Sequence, residues 1–139
     1  MQITPYSRRI NYYETDMMGI VHHSNYIRYF EEARCDLMEQ INCNVKELED
    51  KGISIAVVDV YSKYIVSLKF DDKVKIYTKL TNLSASKMEF EYEVRFADTD
   101  ILAAKGKTTH CCLPHSSKPI SIKKADINMY EALQKLLNN

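Results

Sequence analysis

Excess charge of one sign, a cysteine framework and long apolar runs are all missing from this sequence of 139 residues. Each absence removes a class of protein. The 19 basic side chains are balanced by 19 acidic ones, so no basic excess points to nucleic acid and no acidic tail is present. Zero net charge also gives no colloidal protection, which favours a chain that hides surface in an oligomer. The four cysteines, Cys35, Cys43, Cys111 and Cys112, are too few and too scattered for a disulfide scaffold. No CxxC or CxxH spacing suggests a zinc site. Reduced thiols in a reducing compartment are expected. No apolar run approaches the roughly 18 residues of a membrane span. The opening MQITPYSRRINYY has no apolar stretch of signal-peptide length. A cytoplasmic protein with no membrane span is the expectation. GxGxxG and GxxxxGK patterns are absent, as are repeats and linkers. The length suits one domain over residues 1–139, large enough to bury roughly two thirds of the surface its unfolded chain exposes.

What is present divides by hydrophobic period. Residues 6–13 (YSRRINYY) read as a tyrosine-rich strand, and residues 14–24 as a loop around Gly19. Tyr26, Ile27, Phe30, Ala33, Leu37, Met38 and Ile41 then recur at three- and four-residue spacing, the mark of an amphipathic helix of about four turns. Ser24 or Asn25 is placed to cap it. Arg28, Glu31, Glu32, Asp36 and Glu39 occupy its other face, and Cys35 is assigned to the core. A short helix at 45–51 closed by Gly52 follows. From residue 53 the period becomes two. ISIAVVDVYSKYIVSL makes a long strand, and VKIYTKL and ILAAKGKTTHCCL make others. KMEFEYEVRF sets Met88, Phe90, Tyr92, Val94 and Phe96 against Glu89, Glu91, Glu93 and Arg95, an antiparallel strand with one wet face. Residues 82–87 and 98–100 are turn candidates. Ile127, Tyr130, Leu133 and Leu136 mark a final short helix. One long helix with an apolar stripe has only the sheet to lie against, so the fold class is α+β, an antiparallel sheet wrapped around one long central helix.

The segment that carries chemistry is YYETDMMGIVHHSNYIRYFEEAR, residues 12–34. Asp16 sits in a loop that leads to a helix start, with Gly19, His22, His23 and Ser24 between. Unpaired N–H groups at a helix start carry partial positive charge and can hold an oxyanion. A nearby carboxylate can act as nucleophile or as general base on water. Asp16 as a turn or cap residue is the plainer alternative.

Tyr12, Glu14, Thr15, Asp16, Gly19, Ile20, Val21, His23, Asn25 and Tyr26 resemble the signature of the 4-hydroxybenzoyl-CoA thioesterase family of hotdog-fold proteins. Among these the chain is most similar to the acyl-CoA thioesterases associated with the Tol-Pal gene cluster. The likeness continues through Phe30, Glu31, Ala33 and Arg34, and more loosely to about residue 113 through Asp71, Asp72 and Val74. It implies a hotdog fold and hydrolysis of acyl-CoA thioesters, as in lipid metabolism, with no cofactor and no metal. By the same resemblance Asp16 is the catalytic carboxylate. His23 gives an oxyanion N–H and a helping side chain, and Tyr12 positions the carboxylate or water. Gly19 admits the substrate, and Asn25 and Tyr26 open the helix, with Asn25 also counted among the substrate-binding positions. His22 stands where relatives carry an aromatic residue and is read as structural. The resemblance also implies a homodimer or homotetramer with the active site at the dimer interface. Coenzyme A phosphates would then meet basic side chains, for which Lys63, Lys87, Lys105 and Lys107 are candidates and Lys87 is preferred. Rival readings are a thioesterase acting on acyl carrier protein, left open by the basic stretch from Lys63 to Lys75, a hotdog dehydratase, and a binding protein that kept the fold.

Overall fold

The computed structural model describes residues 2–115 and 118–138. Its strands are β1 (Tyr6–Arg9), β2 (Ile53–Tyr64), β3 (Lys73–Leu83), β4 (Met88–Phe96) and β5 (Leu102–Pro114). Its helices are α1 (Asn25–Gln40), α2 (Val45–Asp50), α3 (Ile122–Ala125) and α4 (Ile127–Leu137). The strands form one sheet in the order β1-β3-β4-β5-β2, every pair antiparallel. The curled sheet wraps α1, which is the α+β hotdog arrangement.

Alternation explains the inner face. Val74, Ile76 and Leu80 of β3 and Met88, Phe90, Tyr92 and Val94 of β4 are buried, and their neighbours point outward. On α1 the buried stripe is Tyr26, Tyr29, Phe30, Ala33, Leu37 and Met38. Gly106 on β5 lets this stripe come close. A β-carbon there would lie 2.3 Å from two ring carbons of Phe30 and 2.9 Å from the Tyr61 carbonyl oxygen. Without it Phe30 sits against β5 and stacks on Tyr92, ring centroids 4.6 Å apart and planes 15° apart. Asn44 caps α2 by accepting from the N–H groups of Lys46 and Glu47, and Gly52 ends it with φ +82°. At the far end α4 buries Met129 and Leu133 beside β3.

Several expectations need correction. The first strand stops at Arg9 rather than residue 13, and Tyr12–Glu14 form a single 3-10 turn. The cause is Glu14, whose buried carboxylate accepts from the Asn11 N–H at 2.8 Å and from Arg8 Nη2 at 2.9 and 3.0 Å, pulling the chain off the sheet. Ile27 is exposed rather than part of the stripe, and Tyr29 takes its place. Arg34 is buried despite its charge, with Nη1 3.4 Å from the Tyr92 hydroxyl and Nη2 3.9 Å from Glu31, one helix turn away. Cys35 is half-buried rather than core. Neither Ser24 nor Asn25 caps α1 through its side chain. The Ser24 hydroxyl bonds His22 Nδ1 at 2.8 Å, and Asn25 Nδ2 donates to the Glu14 carbonyl at 2.8 Å. The strand expected over 53–68 leaves the sheet after Tyr64, and α3 was not anticipated.

Candidate active site

Two chain segments meet at the N-terminal end of α1. The first is a tight turn at Asp16. The Asp16 N–H donates to the Ile20 carbonyl and the Gly19 N–H to the Asp16 carbonyl, both at 2.9 Å. Asp16 Oδ1 accepts from the Met18 N–H at 2.8 Å. Gly19 closes the turn at φ +77°, and a β-carbon there would meet nothing within 4 Å. Its requirement is therefore conformational. The second segment is the chain beyond β2. Ile65 and Val66 both donate to the Ala103 carbonyl, at 2.8 and 2.9 Å, and the Val21 N–H donates to the carbonyl of fully buried Leu68 at 2.8 Å.

Between the segments lies an open hollow of about 210 Å³, lined by Asp16, Met18, Ile20, Val21, His23, Tyr26, Tyr64, Ile65, Val66 and Ser67. Asp16 is half-buried at its edge. A larger groove of about 470 Å³ between the end of α1 and α4 has no histidine in its lining and nothing from the segment around Asp16.

The helix start is held from behind by Glu14. Its carboxylate is tied to Arg8 and Asn11, and its carbonyl accepts from the His22 N–H at 2.9 Å and from Asn25 Nδ2 at 2.8 Å. Arg8 also bonds Glu32 at 3.0 Å and lies 4.3 Å above the Tyr29 ring. The His22 carbonyl accepts from the Asn25 N–H at 3.0 Å. In a trans peptide the N–H points opposite to the C=O, so the His23 N–H faces away from the helix. Among the described residues it has no hydrogen-bond partner. Asp16 and His23 both line the hollow, and a carboxylate and an unpartnered backbone N–H are the kinds of base and donor that addition to a carbonyl carbon requires.

The hollow thus brings Asp16 and His23 together. Gly19 shapes the turn without lining the hollow. Tyr12 lies outside the lining, 75% exposed, its ring edge-on to Phe70 at 5.5 Å. Asn25 is buried and its side-chain amide serves Glu14. His22 is taken up by Ser24, whose N–H donates to Nδ1 at 3.2 Å. Lys87 lies in the β3–β4 turn. Its neighbour Met88 pairs with His110, and Tyr64 pairs with Ala104. Six residues of β5 therefore separate the Lys87 end of the sheet from the hollow, roughly 20 Å at strand rise. Lys63 adjoins Tyr64 in sequence, and Lys107 is paired with Glu89 at 3.4 Å. Tyr64 and residues 65–67, which form one wall, had no signal in the sequence. Their place depends on β2–β5 pairing and on the Val21–Leu68 bond. Burial pushes the Tyr26 hydroxyl up to about 12, so it remains a protonated wall of the hollow at neutral pH.

Comparison with known proteins identifies the family. A family model described as the thioesterase-like superfamily matches residues 10–135. A protein of Aquifex aeolicus (strain VF5), named provisionally as an esterase, is 40% identical over 119 residues, 86% of this chain and 91% of its own length. YneP of Bacillus subtilis (strain 168), named provisionally as an acyl-CoA thioesterase, is 28% identical over 136 residues, 97% of this chain and 98% of that one. The crystal structure of a DHNA-CoA thioesterase from Staphylococcus aureus superposes with a TM-score of 0.93 at 29% identity, covering 97% of this chain and 91% of that one.

Proposed function

The chain belongs to the thioesterase-like superfamily and is a thioester hydrolase, and from that premise we propose that it cleaves acyl-CoA thioesters with Asp16 and the start of α1 as its machinery. The observation that carries this reading is the shared hollow, whose lining includes both Asp16 and His23, the latter with an N–H that has no partner among the described residues.

The thioester carbonyl oxygen accepts from the His23 N–H. As the carbon becomes tetrahedral, negative charge grows on that oxygen, and one preorganised donor is typically worth about 3–4 kcal/mol of barrier. Asp16 either attacks the carbon, giving an anhydride that water then opens, or takes a proton from the attacking water. In both routes the C–S bond breaks, the thiolate leaves with coenzyme A and takes a proton, and the acid is released. Gly19 gives the loop the turn that brings Asp16 to the hollow, and the His23 ring, exposed beside the donor, assists. Tyr12 and Lys87 act, in this reading, on a substrate that reaches beyond the hollow, and Asn25 holds the helix start. The whole chain works as one domain.

A homodimer completes the site. Among the described residues β2 pairs only with β5, which leaves its other edge open along twelve residues. Val57, Val58, Val60, Tyr61 and Tyr64 on that strand are exposed. An open apolar edge of this length is a template for a second copy, and the hollow lies at its end.

The test is free-thiol release from acyl-CoAs running from acetyl to palmitoyl, plus benzoyl. Asp16→Asn is expected to lower turnover about 10²- to 10⁴-fold with an unchanged unfolding midpoint. A variant at the wild-type rate refutes the role of Asp16. Release only from esters of acyl carrier protein would move the substrate to that carrier.

A further inference from the structure

The wall opposite Asp16 contains a side chain that the chemical steps above do not use. Tyr64 is the last residue of β2 and pairs with Ala104. Immediately beyond it the N–H groups of Ile65 and Val66 converge on one acceptor, the Ala103 carbonyl, at 2.8 and 2.9 Å. The backbone that carries Tyr64 is therefore held to β5 on both sides. Its hydroxyl donates to the His23 carbonyl at 3.3 Å. Its ring stands edge-on to Tyr26, centroids 4.7 Å apart and planes at 63°. Tyr26 is buried at 3% exposure, so the pair makes one aromatic wall, fixed at its Tyr26 side and movable only at Tyr64.

The geometry points to Tyr64 as a positioning and acyl-selecting residue: its hydroxyl holds the His23 backbone so that the His23 N–H faces the substrate carbonyl, and its ring limits the acyl group the hollow accepts. This rests on the thioesterase reading of the hollow. His23 has a peptide on each side. The preceding one is held by its carbonyl on the Asn25 N–H at 3.0 Å, within the helix turn. The following one has two hydrogen bonds to its carbonyl, the Tyr26 N–H at 3.3 Å and the Tyr64 hydroxyl at 3.3 Å. Among the described residues, the Tyr64 bond alone reaches these two peptides from the sheet, across 41 residues of sequence. It therefore couples the position of the oxyanion donor to β2, the strand whose other edge is open. A neutral hydrogen bond of this kind is small, but a donor displaced by a fraction of an ångström acts on the transition state more than on the bound ester.

The experiment measures thiol release for wild type, Asp16→Asn, Tyr64→Phe and Tyr64→Ala over the same acyl-CoA panel, separating kcat from KM. Tyr64→Phe keeps the ring, so its preference among acyl groups should match wild type, with kcat down about 3- to 10-fold and KM changed less than about 2-fold. Tyr64→Ala opens the wall and should raise kcat/KM for bulkier acyl groups relative to small ones by about 10-fold or more. Should Tyr64→Ala not fold, Tyr64→Leu, which also removes the ring, reads the same ratio. Tyr64→Phe with wild-type kcat overturns the positioning role, and an unchanged acyl preference on loss of the ring overturns the selecting role. A general loss of stability would lower all esters alike and would not move the ratio. Wild-type protein inert toward every ester overturns the thioesterase reading and the role of Tyr64 with it. Active wild type abolished by Asp16→Asn, beside an unaffected Tyr64→Phe, overturns only the latter.

Discussion

Replacing Gly106 with alanine tests the packing that places the helix start. The new β-carbon would stand 2.3 Å from two ring carbons of Phe30, where ordinary contacts are 3.4–4 Å, and 2.9 Å from the Tyr61 carbonyl oxygen. The ring must move by more than about 1 Å, and it has nowhere to go. Phe30 and Tyr92 are 0% and 1% exposed and stacked, and the Tyr92 hydroxyl is 2.6 Å from Thr108 Oγ1. Overpacking of this kind costs about 1–3 kcal/mol. The backbone contact puts Gly106→Ala at the upper end, about 3 kcal/mol, less about 0.5 kcal/mol regained from a stiffer unfolded chain. With an unfolding entropy of about 2.1 cal/mol/K per residue over 139 residues, each kcal/mol moves the midpoint by about 3–4 °C. Gly106→Ala should therefore melt about 7–10 °C below wild type. In a background of Phe30→Leu, which vacates the ring position, the penalty should fall by at least half. Calorimetry or thermal circular dichroism reads both. A Gly106→Ala midpoint within 2 °C of wild type, or an equal penalty in both backgrounds, would refute the close-approach argument. Because Phe30 lies on the helix that begins beside His23, turnover should fall with stability.

Other consequences are as direct. His110 is fully buried, with Nε2 2.7 Å from Thr108 Oγ1, and burial lowers it to about 4 from an ordinary 6.5. The unfolded chain thus binds a proton that the fold refuses, and stability falls as pH drops from about 6.5 toward 4. By pH 5 the loss from this residue is about 2 kcal/mol relative to pH 7.5, and His110→Gln should flatten that part of the urea-denaturation pH profile. Arg8→Ala strands the buried Glu14 carboxylate and should cost about 3–5 kcal/mol. Arg8→Ala with Glu14→Gln should cost less than Arg8→Ala alone, a double-mutant cycle read by urea unfolding. Val60→Lys on the open edge of β2 should convert a dimer to monomer in light scattering and lower turnover with it. Wild-type protein that scatters as a monomer would remove that edge as an interface.

The regular elements were legible because they are local. The 3.6-residue recurrence from Tyr26 to Ile41 and the two-residue alternation from Met88 to Phe96 each need only one buried side, and α1 and β4 follow. Errors fall where a distant partner overrides that pattern. Tyr12 and Tyr13 carry strand-forming side chains, but Glu14 is drawn to Arg8 and Asn11 and folds them into a turn. Arg34 has a charged side chain that pattern assigns to water, yet Tyr92 on β4 gives it a buried neighbour 58 residues away. Ile27 is apolar yet exposed, because Tyr29 holds the place in the stripe that the pattern gave it.

The candidate site divides the same way. Asp16, Gly19 and His23 lie within eight consecutive residues, and hydrogen bonds close the turn from Asp16 to Ile20, but spacing left Asp16 open as a turn or cap residue and the resemblance to a family signature singled the three out. The opposite wall, Tyr64 to Ser67, comes from a strand that pairs with β5 and from a carbonyl at Leu68 that meets Val21 across 47 residues of chain. Local sequence determines the side chains available and the conformations they favour. Which of them share a hollow is decided by strand pairing and core packing, whose energies depend on residues that only the folded chain brings together.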